Sequence, residues 1–183
     1  SVEAGLRLDR AGINGETTLS PRLSAVITLA PKTTLRSGFG LYTQSPGYEK
    51  AAQSDYVLDF TAATVSSLKS ERARLFSIGI DQAIGRGLTA RLEGYYKRLD
   101  DVLIGRLETE AERRARIATY DFPASLASNI PTDAIITTTP TNDGRGHAYG
   151  FDVMLSRMTA PTSARLRGWA SYTWGKAERD AYG

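Results

Sequence analysis

The chain has 183 residues, enough for a sizeable core, with 23 basic and 20 acidic side chains and a net charge of +3. It has no cysteine, which excludes a disulfide scaffold, a thiolate zinc site and a thiol nucleophile. Near-balanced charge, with no basic helix and no Lys/Arg groove interleaved with aromatics, argues against nucleic acid as a partner.

No apolar run approaches the roughly 18 residues that a membrane-spanning helix needs. The mean hydropathy of −0.29 fits a soluble domain. It fits a transmembrane barrel equally well, because barrel strands are only half apolar. The chain opens on Ser1 without a signal peptide and reads as a mature product or as a piece of something longer.

In chain order, the first element is Val2–Arg10, with Val2, Ala4, Leu6 and Leu8 opposed by Glu3, Gly5, Arg7 and Asp9. A period of two predicts a strand with one apolar and one polar face. Leu19–Pro46 follows as two such runs about Pro31-Lys32-Thr33, a link too short for anything but a hairpin. Leu23, Ala25, Ile27, Leu29, Leu35, Phe39 and Leu41 form its apolar parity; Arg22, Arg36 and Tyr42 lie on the other. Further strands are predicted at Lys69–Gln82, Leu88–Ile104, His147–Arg157 and Ala164–Lys176, making about seven. Arg106–Thr119 reads as an exposed helix, with Glu110/Arg114 and Glu112/Arg116 at i,i+4 in the favourable order. Ile135–Asn142 and Asp143–Gly146 read as irregular, turn-rich backbone.

Short connections at Ala30–Thr33, Ala83–Gly87 and Met158–Ser163 alternate with long ones at Ala11–Thr18, Gly47–Ser67 and Gly105–Gly146. Tight turns on one side and long loops on the other are the pattern of an outer-membrane barrel. The strands reach the 9–11 residues or so that a tilted barrel strand needs. Their polar parity carries mid-strand charge at Arg36, Arg91 and Glu93, which suits a lumen and not a sandwich interior. The middle of the apolar parity is free of charge; Arg74 and Arg98 fall on it only toward the long loops, near Tyr96, Tyr172 and Trp174, placed as an aromatic girdle. The expected fold is therefore an all-β, antiparallel, up-and-down transmembrane barrel segment.

The order and spacing of several short motifs resemble the barrel of TonB-dependent outer-membrane receptors. They are the Gly5-Leu6-Arg7 strand, the Ser20-Pro21-Arg22 strand start, the Ser45-Pro46 exit, the strand opened by Glu71, and Gly150 with Asp152. The resemblance spans nearly the whole chain. It implies a barrel of about 22 strands filled by an N-terminal plug, in the bacterial outer membrane. It also implies uptake of a siderophore, cobalamin, metal complex or carbohydrate driven by the TonB complex. On this reading residues 1–183 are an interior part of the barrel without the plug, the TonB-contacting segment or the closing strands. Its partners are outer-membrane lipid, an extracellular small-molecule or metal-chelate ligand, and TonB through the missing N-terminal regions. A passive porin-type barrel and a soluble antiparallel sandwich binding module are the alternatives.

No cofactor, metal site or catalytic residue is expected, and the chain does not read as an enzyme. His147 is the only histidine, which excludes a His-rich metal site. Asp100 and Asp101 are neighbours on a strand, so they should point to opposite faces and form no carboxylate pair. No serine is grouped with His147 by the sequence, and Gly144-x-Gly146 lacks the helix that a phosphate loop requires and reads as a turn. Ligand contacts are expected in the lumen near the long loops, from Tyr42, Gln44, Tyr48, Arg145 and His147.

Overall fold

The computed structural model describes residues 1–46, 66–85, 87–121, 123, 130–157 and 167–179. Among them are seven strands: β1 (Val2–Arg10), β2 (Thr17–Ala30), β3 (Thr33–Gln44), β4 (Glu71–Gly85), β5 (Leu88–Leu107), β6 (Ile136–Arg157) and β7 (Gly168–Arg179). One helix, α1 (Glu110–Ala118), stands between β5 and β6. The strands form a single sheet in sequence order, every neighbour antiparallel, with β1 and β7 at its two edges. This is the up-and-down order expected of a barrel wall.

Side-chain exposure runs against the rule for water-soluble sheets. Along β4 the apolar Phe76, Ile78 and Ile80 are exposed, while Ser77 and Asp81 are half-buried and Gly79 is buried. Along β6 Phe151, Val153 and Leu155 are exposed, and Asp152, Met154 and Ser156 are the covered set. A sheet that covers its polar side and bares its apolar side is built for lipid on the bare face. Directly paired residues project on the same side. The rows Phe39–Phe76–Tyr96–Tyr149, Ile78–Gly94–Phe151–Trp174 and Leu35–Ile80–Leu92–Val153–Tyr172 therefore run together across the lipid-facing side. Tyr96 sits in the outermost of these rows as expected, but Tyr172 lies two rows nearer the short turns, so the outer aromatic row is Phe76, Tyr96 and Tyr149 instead.

The tight turns hold the register at one end. The β2–β3 link is Pro31-Lys32, entered through a bulge between Thr28 and Ala30. The β4–β5 turn needs φ of +111° at Gly85 and +75° at Gly87, backbone that glycine adopts without steric cost. The Ala83 N–H donates to the Lys32 carbonyl at 2.8 Å and ties the two turns together. The expected turn at Met158–Ser163 lies outside the described residues, as does most of the expected loop at Gly47–Ser67.

At the other end the structure departs from expectation. Ile136–Gly146 is not irregular backbone but the outer half of β6, paired with β5 as far as Leu107. Alternation fails there because the ladder shifts register between Leu99 and Val102 and again beyond. Asp101 supplies the extra residue, with φ of +57°. That bulge also defeats the expected alternation at Asp100-Asp101. Asp100 bridges Arg74 and Arg98 while Asp101 lies 3.6 Å from Arg72, and all three arginines are on the lipid-facing parity.

The outer end carries what core the sheet has. Leu68, Val102, Leu103 and Ile104 are the buried apolar residues among those described, and Ser20, Ser70 and Pro46 are buried as well. Asn142 clamps two segments, accepting from the Lys69 N–H at 2.8 Å and donating to the carbonyls of Lys69 and Asp101 at 2.9 and 2.8 Å. Glu16, in the β1–β2 connection, accepts from the Ser70 N–H at 2.6 Å and lies 3.4 Å from Arg72. Burial pulls the Glu16 carboxyl upward, but the Ser70 and Arg72 contacts outweigh it and hold it below the ordinary range.

Candidate functional site on the polar face

Two adjacent rows in which small residues alternate with a few long ones shape the polar face. One runs Ser24–Gly38–Ser77–Tyr95–Gly150–Gly175, the other Arg22–Gly40–Leu75–Lys97–Ala148–Ala177. Two hollows open above them, between the longer side chains. The inner, of about 430 Å³, lies over Gly5, Ser24, Gly38 and Ser77. The outer, of about 540 Å³, is lined by Tyr42, Gln44, Glu71, Lys97, Leu99 and Arg179. Tyr42 and Leu75 line both.

Tyr42 is fixed from two sides. Its ring folds over Gly40, where a Cβ would stand 2.7 Å from a ring carbon, and the Arg22 guanidinium lies 4.9 Å from the ring centroid. A cation over an aromatic face is an attractive contact, so Arg22 holds the ring at the boundary between the hollows. The wall of the outer hollow is made by the β5 bulge. Both polar groups of one residue there are held by charged side chains from other strands: Glu71 accepts the Leu103 N–H at 2.9 Å, and Arg179 donates to the Leu103 carbonyl at 2.7 Å. Lys97 forms no ion pair among the described residues. The outer hollow therefore presents Lys97 and Arg179, one engaged carboxylate, a phenol and an apolar wall of Leu75, Leu99 and Val102, with Arg72, already paired to Glu16 and Asp101, also in its lining.

Nearer the tight turns the polar face is cross-braced. Asp81 stands between Arg36 and Arg91, each at 2.6 Å, linking β3, β4 and β5. Among the described residues no group of three or more His, Asp or Glu is arranged to hold a metal ion.

The five expected ligand residues divide between the faces. Tyr42 and Gln44 line the outer hollow, and Tyr48 lies outside the described residues. Arg145 and His147 are on the opposite, lipid-facing side, which corrects their expected lumen placement. His147 pairs with Arg98 and Glu178 and shares the parity of Tyr149 and Phe151. Its ring stacks with Tyr96 and Tyr149 at 6.5 and 6.1 Å, and its Nε2 is 2.9 Å from Glu178. Arg145 borders a separate hollow with Arg98 and Asp100. Glu71, Lys97 and Arg179 were not among the expected residues. The polar parity of Lys97 was a sufficient signal for it, whereas Arg179 lies beyond the predicted end of its strand.

Comparison with known proteins places this sheet. The model of the family "TonB dependent receptor-like, beta-barrel" matches residues 1–183. No curated protein matches the chain. Among solved structures, the outer membrane transporter YddB from Escherichia coli is similar at 15% identity and a TM-score of 0.62, over 97% of this chain and 22% of that one. The FrpB iron transporter from Neisseria meningitidis, in an apoprotein form, is similar at 16% identity and a TM-score of 0.56, over 99% and 24%. The copper transporter OprC gives 18% and 0.53, over 88% and 21%. The chain thus spans between a fifth and a quarter of the length of these structures.

Proposed function

Since the chain belongs to the TonB-dependent receptor-like β-barrel family and to the bacterial outer membrane, we propose that it forms an interior arc of a transport barrel. The arc leaves its β1 and β7 edges to further strands of the same barrel, about 22 in all, and its polar face to a lumen occupied by a plug domain. The lumen takes up a scarce extracellular ligand, with release powered by the TonB complex. A metal complex is the favoured ligand, as FrpB is an iron transporter and OprC a copper transporter. The contact surface on this arc is the outer hollow, with Tyr42, Gln44, Lys97 and Arg179 as the binding residues and the Arg22–Tyr42 contact as their positioner.

The observation that carries this reading is the outer hollow itself, which joins Lys97 and Arg179 to an aromatic and aliphatic wall. That combination suits an anionic chelate with apolar substituents. The test is ligand-limited growth and uptake by cells whose complete receptor carries Lys97→Gln with Arg179→Gln. Uptake of an anionic metal chelate should fall about tenfold or more while barrel assembly, read by heat-modifiable gel mobility, stays normal. Undiminished uptake in both the double variant and a TonB-deficient strain would point to a passive pore.

A further inference from the structure

The lipid-facing side ends, toward the long connections, in a band of charge. Arg74 and Arg98 are directly opposite each other on β4 and β5. Like charges so placed repel unless an anion lies between them. Asp100 supplies one carboxylate to both: Arg74 donates to Oδ2 at 2.6 Å, and Arg98 donates from Nε to Oδ1 at 3.0 Å. One negative charge thus serves two guanidiniums, each about half exposed. Among the described contacts the terminal amino groups of Arg98 have no acceptor.

The depth of the pair is set by the row beneath it, Phe39–Phe76–Tyr96–Tyr149. Aromatic side chains in such rows mark the junction of hydrocarbon and head groups. The opposite end of the same face is different. Thr33, Gln82, Ala90 and Leu155 form its last full row, with no two cations paired across neighbouring strands beyond it among the described residues; Lys32, Arg157 and Arg167 stand there singly. The opposed arginine pair therefore stands at the long-connection end, the outer-leaflet side of such a barrel. It also belongs to the lipid side, where no ligand in the lumen can reach it.

We propose that Arg74 and Arg98 bind the phosphate of an outer-leaflet lipid head group, whose acyl chains lie along Phe76, Ile78 and Tyr96. Guanidinium forks match phosphate oxygens in geometry, and at the membrane surface they are more weakly hydrated than ammonium groups. The neighbouring hollow of about 480 Å³ does not extend the site, because in it Lys69, Arg98 and Arg145 face Asp100, Asp101 and Asp143. The phosphate sits on the membrane side of the arginine pair, and Asp100 holds the two forks parallel.

The test uses the complete receptor, purified in detergent and stripped of lipid, with bound lipid counted by native mass spectrometry. The probes are bis-phosphorylated lipid A, the same lipid dephosphorylated, and inorganic phosphate. Phosphorylated lipid A should bind, the dephosphorylated form should bind about tenfold more weakly or worse, and inorganic phosphate should not displace it. Arg74→Gln with Arg98→Gln should abolish the difference between the two lipids. Arg74→Lys with Arg98→Lys should keep part of it, and Arg7→Gln, on the polar face, should leave it whole. Heat-modifiable mobility confirms that each variant is an assembled barrel. Equal binding of the two lipids by the unaltered receptor, or an unchanged preference in the double Gln variant, overturns the proposal. So does displacement by inorganic phosphate, which would make this a site for soluble anions.

Discussion

Tyr95 lies across Gly150 on the polar face, its hydroxyl 2.9 Å from the point where a Cβ on that glycine would stand. The same hydroxyl comes within 2.8 Å of the corresponding point on Gly175, so one aromatic side chain roofs glycines on two successive strands. An aromatic laid over glycine restores the packing that a bare strand lacks. It also keeps the wall thin, which leaves the hollows beside it open. Here a packing device inside the sheet determines how much room the lumen side has.

Gly150→Ala should therefore weaken the barrel. Its Cβ would stand 2.4 Å from the Trp174 carbonyl oxygen, a backbone atom that moves only if β6 and β7 part. Overpacking of this kind costs about 1–3 kcal/mol. Gly94→Ala is the control, since its nearest contact would be an ordinary 3.8 Å. Urea titration of the refolded full-length barrel in micelles should show a lower midpoint for the first variant and no change for the second.

Phe39→Arg and Ile78→Arg place a cation in the lipid-facing rows, 43% and 47% exposed to what the structure presents as membrane. Near the bilayer midplane each should cost about 2–4 kcal/mol. Ser24→Arg puts the same cation on the polar face opposite Gly38, where water or plug residues receive it. Assembly in cells, read as the heat-modifiable fraction, should fall for the first two and hold for the third. Equal loss at all three positions would contradict the assignment of faces.

The two-residue period made the strands and their faces legible, because parity survives any error in where a strand ends. It also carried the answer for His147, whose parity with Tyr149 and Phe151 already put it on the apolar side. The expected lumen contact rested on His147 standing next to a long connection, which fixes its height on the wall and not its face. Asp100 and Asp101 show the limit of the method. One left-handed residue in a bulge cancels alternation, and nothing in a single sequence marks Asp101 as that residue. Glu71, Lys97 and Arg179 meet only through strand register, and register depends on pairing and not on composition.

Asp81 should be the anchor of the polar-face bracing. Its side chain is 14% exposed, against 51% and 41% for Arg36 and Arg91, so the acid is the covered member of the trio. A double-mutant cycle with Asp81→Asn and Arg91→Gln should return a coupling of about 1 kcal/mol, shrinking as salt is raised. Zero coupling at low salt would mean that the trio is an ornament of the surface.

Acid should loosen the β5–β6 connection through one carboxylate. Glu108 binds Arg116 at 2.6 Å and accepts the Ile135 N–H at 3.2 Å, while Arg116 also reaches the carbonyls of Pro131 and Asp133 at 3.0 and 2.9 Å. The pair thus fastens α1, which starts at a Thr109–Glu112 capping box, to the strand that follows it. Arg116's hydrogen bonds hold the Glu108 carboxyl below its ordinary range; burial pulls the other way, and the Ile135 amide adds to the depression. The pKa of Arg116 is raised by the same partner and does not titrate in the acid range. A depressed acid stabilises the folded state above its unfolded value and loses that contribution as pH falls through the folded value. The connection should be intact at neutral pH and should open below about pH 4.3, the ordinary glutamate value. Amide exchange at Ile135, corrected for intrinsic rates, should show protection at pH 7 that declines at pH 3. Glu108→Gln should remove the acid-dependent step by weakening the clasp at every pH. A step of undiminished size in that variant would assign the acid response to another group.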